Sequence, residues 1–127
     1  MTLPPSLILI VEDDPDGQEL VARMLMRASI QVEIAGTAED ALQLIAPDEH
    51  IAIVIDLALP GMDGFELFSH IRHDDKLSQL PCIAITAYHT PSLKQRVMND
   101  GFDAYFPKPL DDIRFLRAIK EIVSRRT

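Results

Sequence analysis

Ile51-Ala52-Ile53-Val54-Ile55-Asp56-Leu57-Ala58-Leu59-Pro60-Gly61-Met62-Asp63-Gly64 is the stretch on which the reading of this chain turns. It begins as an unbroken apolar run rich in β-branched residues and ends in a carboxylate, Asp56; Pro60, Gly61 and Gly64 then mark a loop. A short apolar run bounded by turn signals is the pattern of a strand buried on both faces. Asp56 then stands at the carboxyl end of that strand, where open α/β sheets place their ligands. Taken alone, Asp56 serves equally well as an acceptor of loop hydrogen bonds. The rest of the chain decides between the two.

Upstream, Leu7-Ile8-Leu9-Ile10-Val11 is a second buried-strand run, and it too ends in acid, Glu12-Asp13-Asp14. Pro15 suits the first turn of a helix and Asp14 its N-cap. Capping and the helix dipole account for Asp14 and Asp16, but not for Glu12 and Asp13, which lie on the strand side of the cap. Leu20, Val21, Met24, Leu25 and Ala28 recur at helical spacing. Gln31 to Gly36 reads as a short strand nearer an edge. Thr37-Ala38-Glu39-Asp40 opens a second helix with Ala41, Leu42, Leu44 and Ile45 as its buried face and Pro47 as its stop.

Downstream, Phe65, Leu67, Phe68 and Ile71 mark a third helix. His70 and His73 share one of its faces but lack a third ligand, so zinc is not expected there. Leu80 to Ile85 is a fourth strand, ending in Thr86-Ala87-Tyr88-His89. Thr90 and Pro91 begin a fourth helix that Gly101 stops. Phe102 to Phe106 is a fifth strand, followed by Pro107-Lys108-Pro109, and Asp111 caps a last helix with the stripe Phe115, Leu116, Ile119, Ile122 and Val123.

The order is (βα)5, which predicts an α/β fold: a doubly wound, parallel five-stranded sheet with right-handed crossovers and helices on both faces. All strand C-termini then share one edge, bringing Glu12, Asp13, Asp56, Thr86 and Lys108 together. In the flavodoxin-like order 2-1-3-4-5 the switch point falls between the first and third strands, which sets Glu12, Asp13 and Asp56 side by side. Converging carboxylates repel unless a proton or a cation sits among them. Oxygen-only ligation suits Mg²⁺, with Mn²⁺ as the alternative. One carboxylate can also act as a nucleophile toward phosphorus. Lys108 would offset the phosphoryl charge and the Thr86 hydroxyl would donate to a phosphoryl oxygen.

The totals narrow the class. The 127 residues suffice for one domain, and 20 acidic against 12 basic residues leave a net charge of −8. That balance argues against nucleic acid as a direct partner, because phosphate backbones are bound by clustered Lys and Arg. A single cysteine, Cys82, excludes an internal disulfide and fits a reducing compartment. No apolar stretch approaches the ~20 residues that span a bilayer, and Met1 to Ser6 lacks the charged start of a signal peptide. The expectation is a cytoplasmic domain without membrane attachment, with residues 1–6 as a tail and 7–127 as the folded unit.

From about Leu7 to Val123 the chain resembles the receiver domains of two-component response regulators, the CheY-like family. The resemblance is carried by Glu12-Asp13 after a hydrophobic strand, Asp56 with Leu59-Pro60-Gly61-Met62-Asp63-Gly64, Thr86-Ala87, Tyr105, and Lys108-Pro109. It implies that Asp56 accepts a phosphoryl group from a partner histidine kinase or phosphotransfer protein. Glu12, Asp13, Asp56 and the Ala58 carbonyl would hold Mg²⁺. Thr86 and Lys108 would contact the phosphoryl group, and Thr86 and Tyr105 would form the switch pair, Tyr105 rotating inward as Thr86 moves. The fourth helix, fifth strand and fifth helix would then present a surface to a downstream protein. The Lys108-Pro109 peptide would be cis. Ala58 and Tyr88 hold the positions that tune phosphoryl lifetime; Ala58 cannot position a water and Tyr88 would cover the phosphoryl group, which implies slow self-dephosphorylation.

Such a domain is a signalling module rather than an enzyme with an external substrate. The alternative is a haloacid dehalogenase-type Mg²⁺-dependent phosphohydrolase, but that class wants a second acid where Ala58 stands. A nucleotide- or flavin-binding module would want a Gly-rich phosphate loop after the first strand, where this chain has acids. The chain is either a stand-alone receiver or the receiver piece of a larger regulator. Phe115 with Arg114, Arg117 and Lys120 would serve as a partner or weak homodimer surface on the last helix, but the plainer reading of an ordinary amphipathic helix is the favoured one.

Overall fold

A computed structural model of the chain describes residues 7–126; the expected tail, residues 1–6, lies outside them. The elements run β1 (Leu7–Val11), α1 (Pro15–Arg27), β2 (Gln31–Ala35), α2 (Ala38–Leu44), β3 (His50–Asp56), α3 (Gly64–His73), β4 (Cys82–Thr86), α4 (Pro91–Asp100), β5 (Ala104–Pro107) and α5 (Asp112–Arg126). The strands form one sheet in the order β2-β1-β3-β4-β5, every neighbouring pair parallel. The predicted architecture and strand order are both observed.

Each central strand is apolar on both faces because each face carries helices. Leu9 and Val11 of β1, with Ile53 and Ile55 of β3, face a core that includes Leu67, Phe68 and Ile71 of α3 and Val97 of α4. Ile8, Ile10 and Val54 face the other way, onto Val21 and Leu25 of α1 and Phe115 and Ile119 of α5. A period-2 alternation inside continuous apolar runs thus feeds two separate cores.

The register then sets a staircase along one edge. Val11 pairs with Ile55, so Glu12 and Asp56 follow as neighbours on adjacent strands. Asp56 pairs with Ile85, one residue before Thr86. Thr86 pairs with Pro107, one residue before Lys108.

Local details depart from expectation where side chains found other partners. β4 begins at Cys82 rather than Leu80, because Leu80 N–H donates instead to the Leu77 carbonyl in a turn (2.9 Å). β5 begins at Ala104, because Phe102 turns inward to stack on Phe68 with centroids 3.9 Å apart. Leu44, expected on the buried face of α2, is 39% exposed, and Leu20, one of the residues at helical spacing in α1, is 44% exposed. Phe115 is fully buried and meets Phe106 edge-on, so it cannot form part of an α5 partner surface; Arg114, Arg117 and Lys120 are exposed. No helix among the described residues is long and apolar enough to cross a membrane.

Candidate functional site

Glu12, Asp13, Asp56, Thr86 and Lys108 all lie at the carboxyl edge of the sheet. One carboxylate oxygen from each of Glu12, Asp13 and Asp56 lies within 4.8 Å of the others, the only such group of potential metal ligands among the described residues. Glu12 is fully buried and Asp56 nearly so, while Asp13 is exposed at the mouth. His70 and His73 do not join such a group; His73 Nδ1 lies 2.7 Å from the Ser69 carbonyl oxygen of its own helix.

Backbone geometry holds each group in place. Asp56 Oδ1 accepts from the Ala58 N–H at 2.9 Å, which turns the chain sharply after β3. Gly64 closes that loop. A Cβ there would lie 2.7 Å from both the Asp56 carbonyl oxygen and Leu57 Cα, so only glycine lets α3 start this close to the acid. Gly17 plays the same part for Glu12, whose Oε1 would meet a Cβ at 2.2 Å. Gln18 Nε2 donates to the Glu12 carbonyl at 2.7 Å. Lys108 N–H donates to the Thr86 carbonyl at 2.8 Å, and the Lys108-Pro109 peptide is cis as expected.

The electrostatics centre on Lys108. Its ammonium donates to Asp56 Oδ2 at 2.8 Å and also to Glu12 Oε1. It therefore spans the two buried acids. Burial pushes the Glu12 carboxyl up to about 7, reinforced by the neighbouring Asp56 and opposed by Lys108. Burial would raise Asp56 too, but hydrogen bonds with Glu12, Lys108 and the Ala58 N–H outweigh it and hold that carboxyl below the usual range. Burial works against the Lys108 charge as well, yet the Asp56 and Glu12 carboxylates raise its pKa overall.

Whether the residues fit a divalent cation rests on one atom above all. Glu12 Oε2 is buried without a hydrogen-bond partner among the described residues. A buried carboxylate oxygen without a partner, on a residue grouped with two further acids, gives a donor set that a hard, oxygen-seeking cation satisfies.

Both residues of the expected switch pair are buried. Thr86 is 1% exposed and its Oγ1 accepts from the Tyr88 N–H at 3.0 Å. Tyr105 is 7% exposed. Its hydroxyl is hydrogen-bonded to His89 Nδ1 at 2.8 Å. The Tyr88 ring, expected as a cover, is 72% exposed and shields little where it stands.

His89, Gly17 and Gln18 belong to the site or its frame without a role there being legible in the sequence, whereas Gly64 was legible as a mark of the loop after Asp56. Gly17 left a signal, since a glycine in a helix's first turn costs stability and asks for a packing reason. His89 left none, because a histidine in a loop between a strand and a helix cap is ordinary.

The model of the response regulator receiver domain matches residues 8–120. The chain belongs to this family. An uncharacterised 14.6 kDa protein of Leptolyngbya boryana is 38% identical over 120 residues, covering 94% of this chain and 92% of that protein. The response regulator MprA of Mycolicibacterium vanbaalenii is 32% identical over 123 residues, covering 97% of this chain but 52% of that protein. The chain thus spans about half the length of that relative. Among solved structures, the non-phosphorylated HemR receiver domain of Leptospira biflexa superposes with a TM-score of 0.81 at 31% identity, covering 96% of this chain and 95% of that one.

Proposed function

We propose that this receiver domain takes a phosphoryl group onto Asp56 from a phosphohistidine of a partner kinase or phosphotransfer protein. The observation that carries the reading is the Asp56 carboxylate, nearly buried yet fixed by two opposed donors, the Ala58 N–H on Oδ1 and Lys108 on Oδ2. That arrangement orients a weak nucleophile and keeps it ionised in a site of low dielectric. An Asp56 oxygen attacks phosphorus, the phosphorus–nitrogen bond to the donor imidazole breaks, and the imidazole leaves with the bonding pair. An aspartyl phosphate remains.

Glu12, Asp13, Asp56 and the Ala58 carbonyl would hold Mg²⁺ or Mn²⁺. The ion, when bound, supplies countercharge between the carboxylates and the phosphoryl oxygens. Lys108, which already bonds Asp56, follows the new negative charge. Thr86, whose hydroxyl accepts from the Tyr88 N–H, turns to donate to a phosphoryl oxygen. The movement of its loop biases the α4–β5–α5 face toward a downstream protein. Ala58 leaves no side chain to position an attacking water, which favours a long-lived phosphorylated state.

The test is Mg²⁺-dependent labelling by a small phosphodonor such as acetyl phosphate. Asp56→Asn is expected to lose essentially all label. Labelling of that variant at the unsubstituted level sinks the assignment.

A further inference from the structure

His89 is an exposed residue in the loop that joins β4 to α4, three positions after Thr86. Its Nδ1 is 2.8 Å from the Tyr105 hydroxyl, and its ring lies tilted against the phenol with centroids 5.6 Å apart. Tyr105 belongs to the same buried cluster as Val97 and Phe102. A phenol in that position buries an apolar ring but must find a partner for its hydroxyl. The partner is His89. The same loop binds Thr86, through the Tyr88 N–H at 3.0 Å. Thr86, Tyr88 and His89 therefore form one unit that touches both halves of the switch.

We propose that His89 is a positioning residue for Tyr105: it latches the ring in its buried rotamer before any phosphoryl group reaches Asp56. The proposal rests on the receiver reading and concerns how its output face is set. The tyrosine half of the switch is then preset, and phosphorylation acts through Thr86 and the loop rather than by drawing Tyr105 inward from solvent. One neutral hydrogen bond favours the buried rotamer by about fivefold in population. The effect reaches the surface, because His89 and Tyr105 form one wall of a groove of about 320 Å³. Lys94, Asp111 and Arg114 also line it, so the groove runs between the beginnings of α4 and α5.

The chain contains two tyrosines and no tryptophan, so Tyr88→Phe leaves Tyr105 as the sole strong emitter. Acrylamide quenching of that emission reads the exposure of Tyr105 directly. In the Tyr88→Phe background Tyr105 is expected to be shielded. Adding His89→Ala is expected to raise the quenching constant severalfold, while His89→Asn, whose amide can reach the same hydroxyl, restores most of the shielding. A chain with His89→Ala that shields Tyr105 as well as its parent overturns the latch. Imidazole ¹⁵N NMR of the unsubstituted chain gives an independent reading: a hydrogen-bonded Nδ1 at His89 is expected, and a free one overturns the proposal. All these readings are taken without phosphodonor or Mg²⁺. Failure to label Asp56 leaves them standing, and their failure leaves the labelling result standing.

Discussion

Lys108 and Cys82 show how far one side chain's behaviour depends on where it is put. Lys108 was expected to serve an incoming phosphoryl group. The structure gives it a prior task, bridging Glu12 and Asp56 across the mouth of the site. Charge repulsion among strand-end acids was legible in the sequence, but which cation relieves it depends on the reach of a lysine arriving from the far side of β4. Cys82 is a free thiol with no exposure, held between the Arg72 guanidinium and the Leu80 carbonyl. Burial pushes it from 9.0 to about 12, with Arg72 working in the opposite direction. A raised thiol pKa means that the folded state prefers the neutral form. That contribution to stability is complete below the ordinary thiol value and is lost as pH climbs toward about 12. The thiolate is the reactive form, so at neutral pH the native chain is expected to resist alkylation, with complete modification in denaturant. Mass spectrometry after timed exposure to iodoacetamide checks this; rapid labelling of the folded chain contradicts it.

At the scale of elements, helix starts were the most legible feature. Asp14, Thr37 and Thr90 each stand just before a periodic apolar segment. Each accepts from an N–H in the first turn, at 3.1, 3.0 and 3.0 Å. Local chemistry suffices there, because cap and recipient are three residues apart. Element ends were less legible where a distant partner intervened. Phe102 reads as a strand residue until Phe68 of α3 is there to stack on it. Arg72 extends the same tie, bonding the Leu80 carbonyl at 2.7 Å and Asp103 at 3.1 Å. Gly64 carries the sharpest prediction at this scale, because backbone rather than a flexible side chain stands where its Cβ would go. Gly64→Ala is expected to destabilise the chain by about 1–3 kcal/mol in urea unfolding, the usual range for forced overpacking. Gly36→Ala, with its nearest heavy atom 3.9 Å away, is the control and should stay within about 0.5 kcal/mol. Equal effects at the two sites contradict the close-approach argument.

For the whole molecule, the proposed cation site at Glu12, Asp13 and Asp56 would link cation binding to stability. A ligand bound only by the folded state stabilises it by about 2.7 kcal/mol at a hundredfold excess over its Kd. For a domain of this size, that raises Tm by on the order of 10 °C. Saturating Mg²⁺ is therefore expected to raise the melting temperature in calorimetry, EDTA to reverse the rise, and Asp13→Asn to lose most of it. An unsubstituted chain with the same Tm in Mg²⁺ and in EDTA contradicts the cation assignment.

Strand and helix identity, the parallel doubly wound sheet and the residue types at the strand ends were all determined by the sequence alone. They follow from periodicity, capping and the short connections between elements, which are local. Tertiary structure alone decided which charges pair at the site and where Tyr105 is buried. Lys108 between two acids and Tyr105 buried against His89 join residues that are 52, 96 and 16 positions apart, and Glu12 Oε2 has no hydrogen-bond partner among the described residues. No local pattern encodes such distances; the sheet register does, by bringing Glu12 beside Asp56 and setting Thr86 and Lys108 one step further along the same edge.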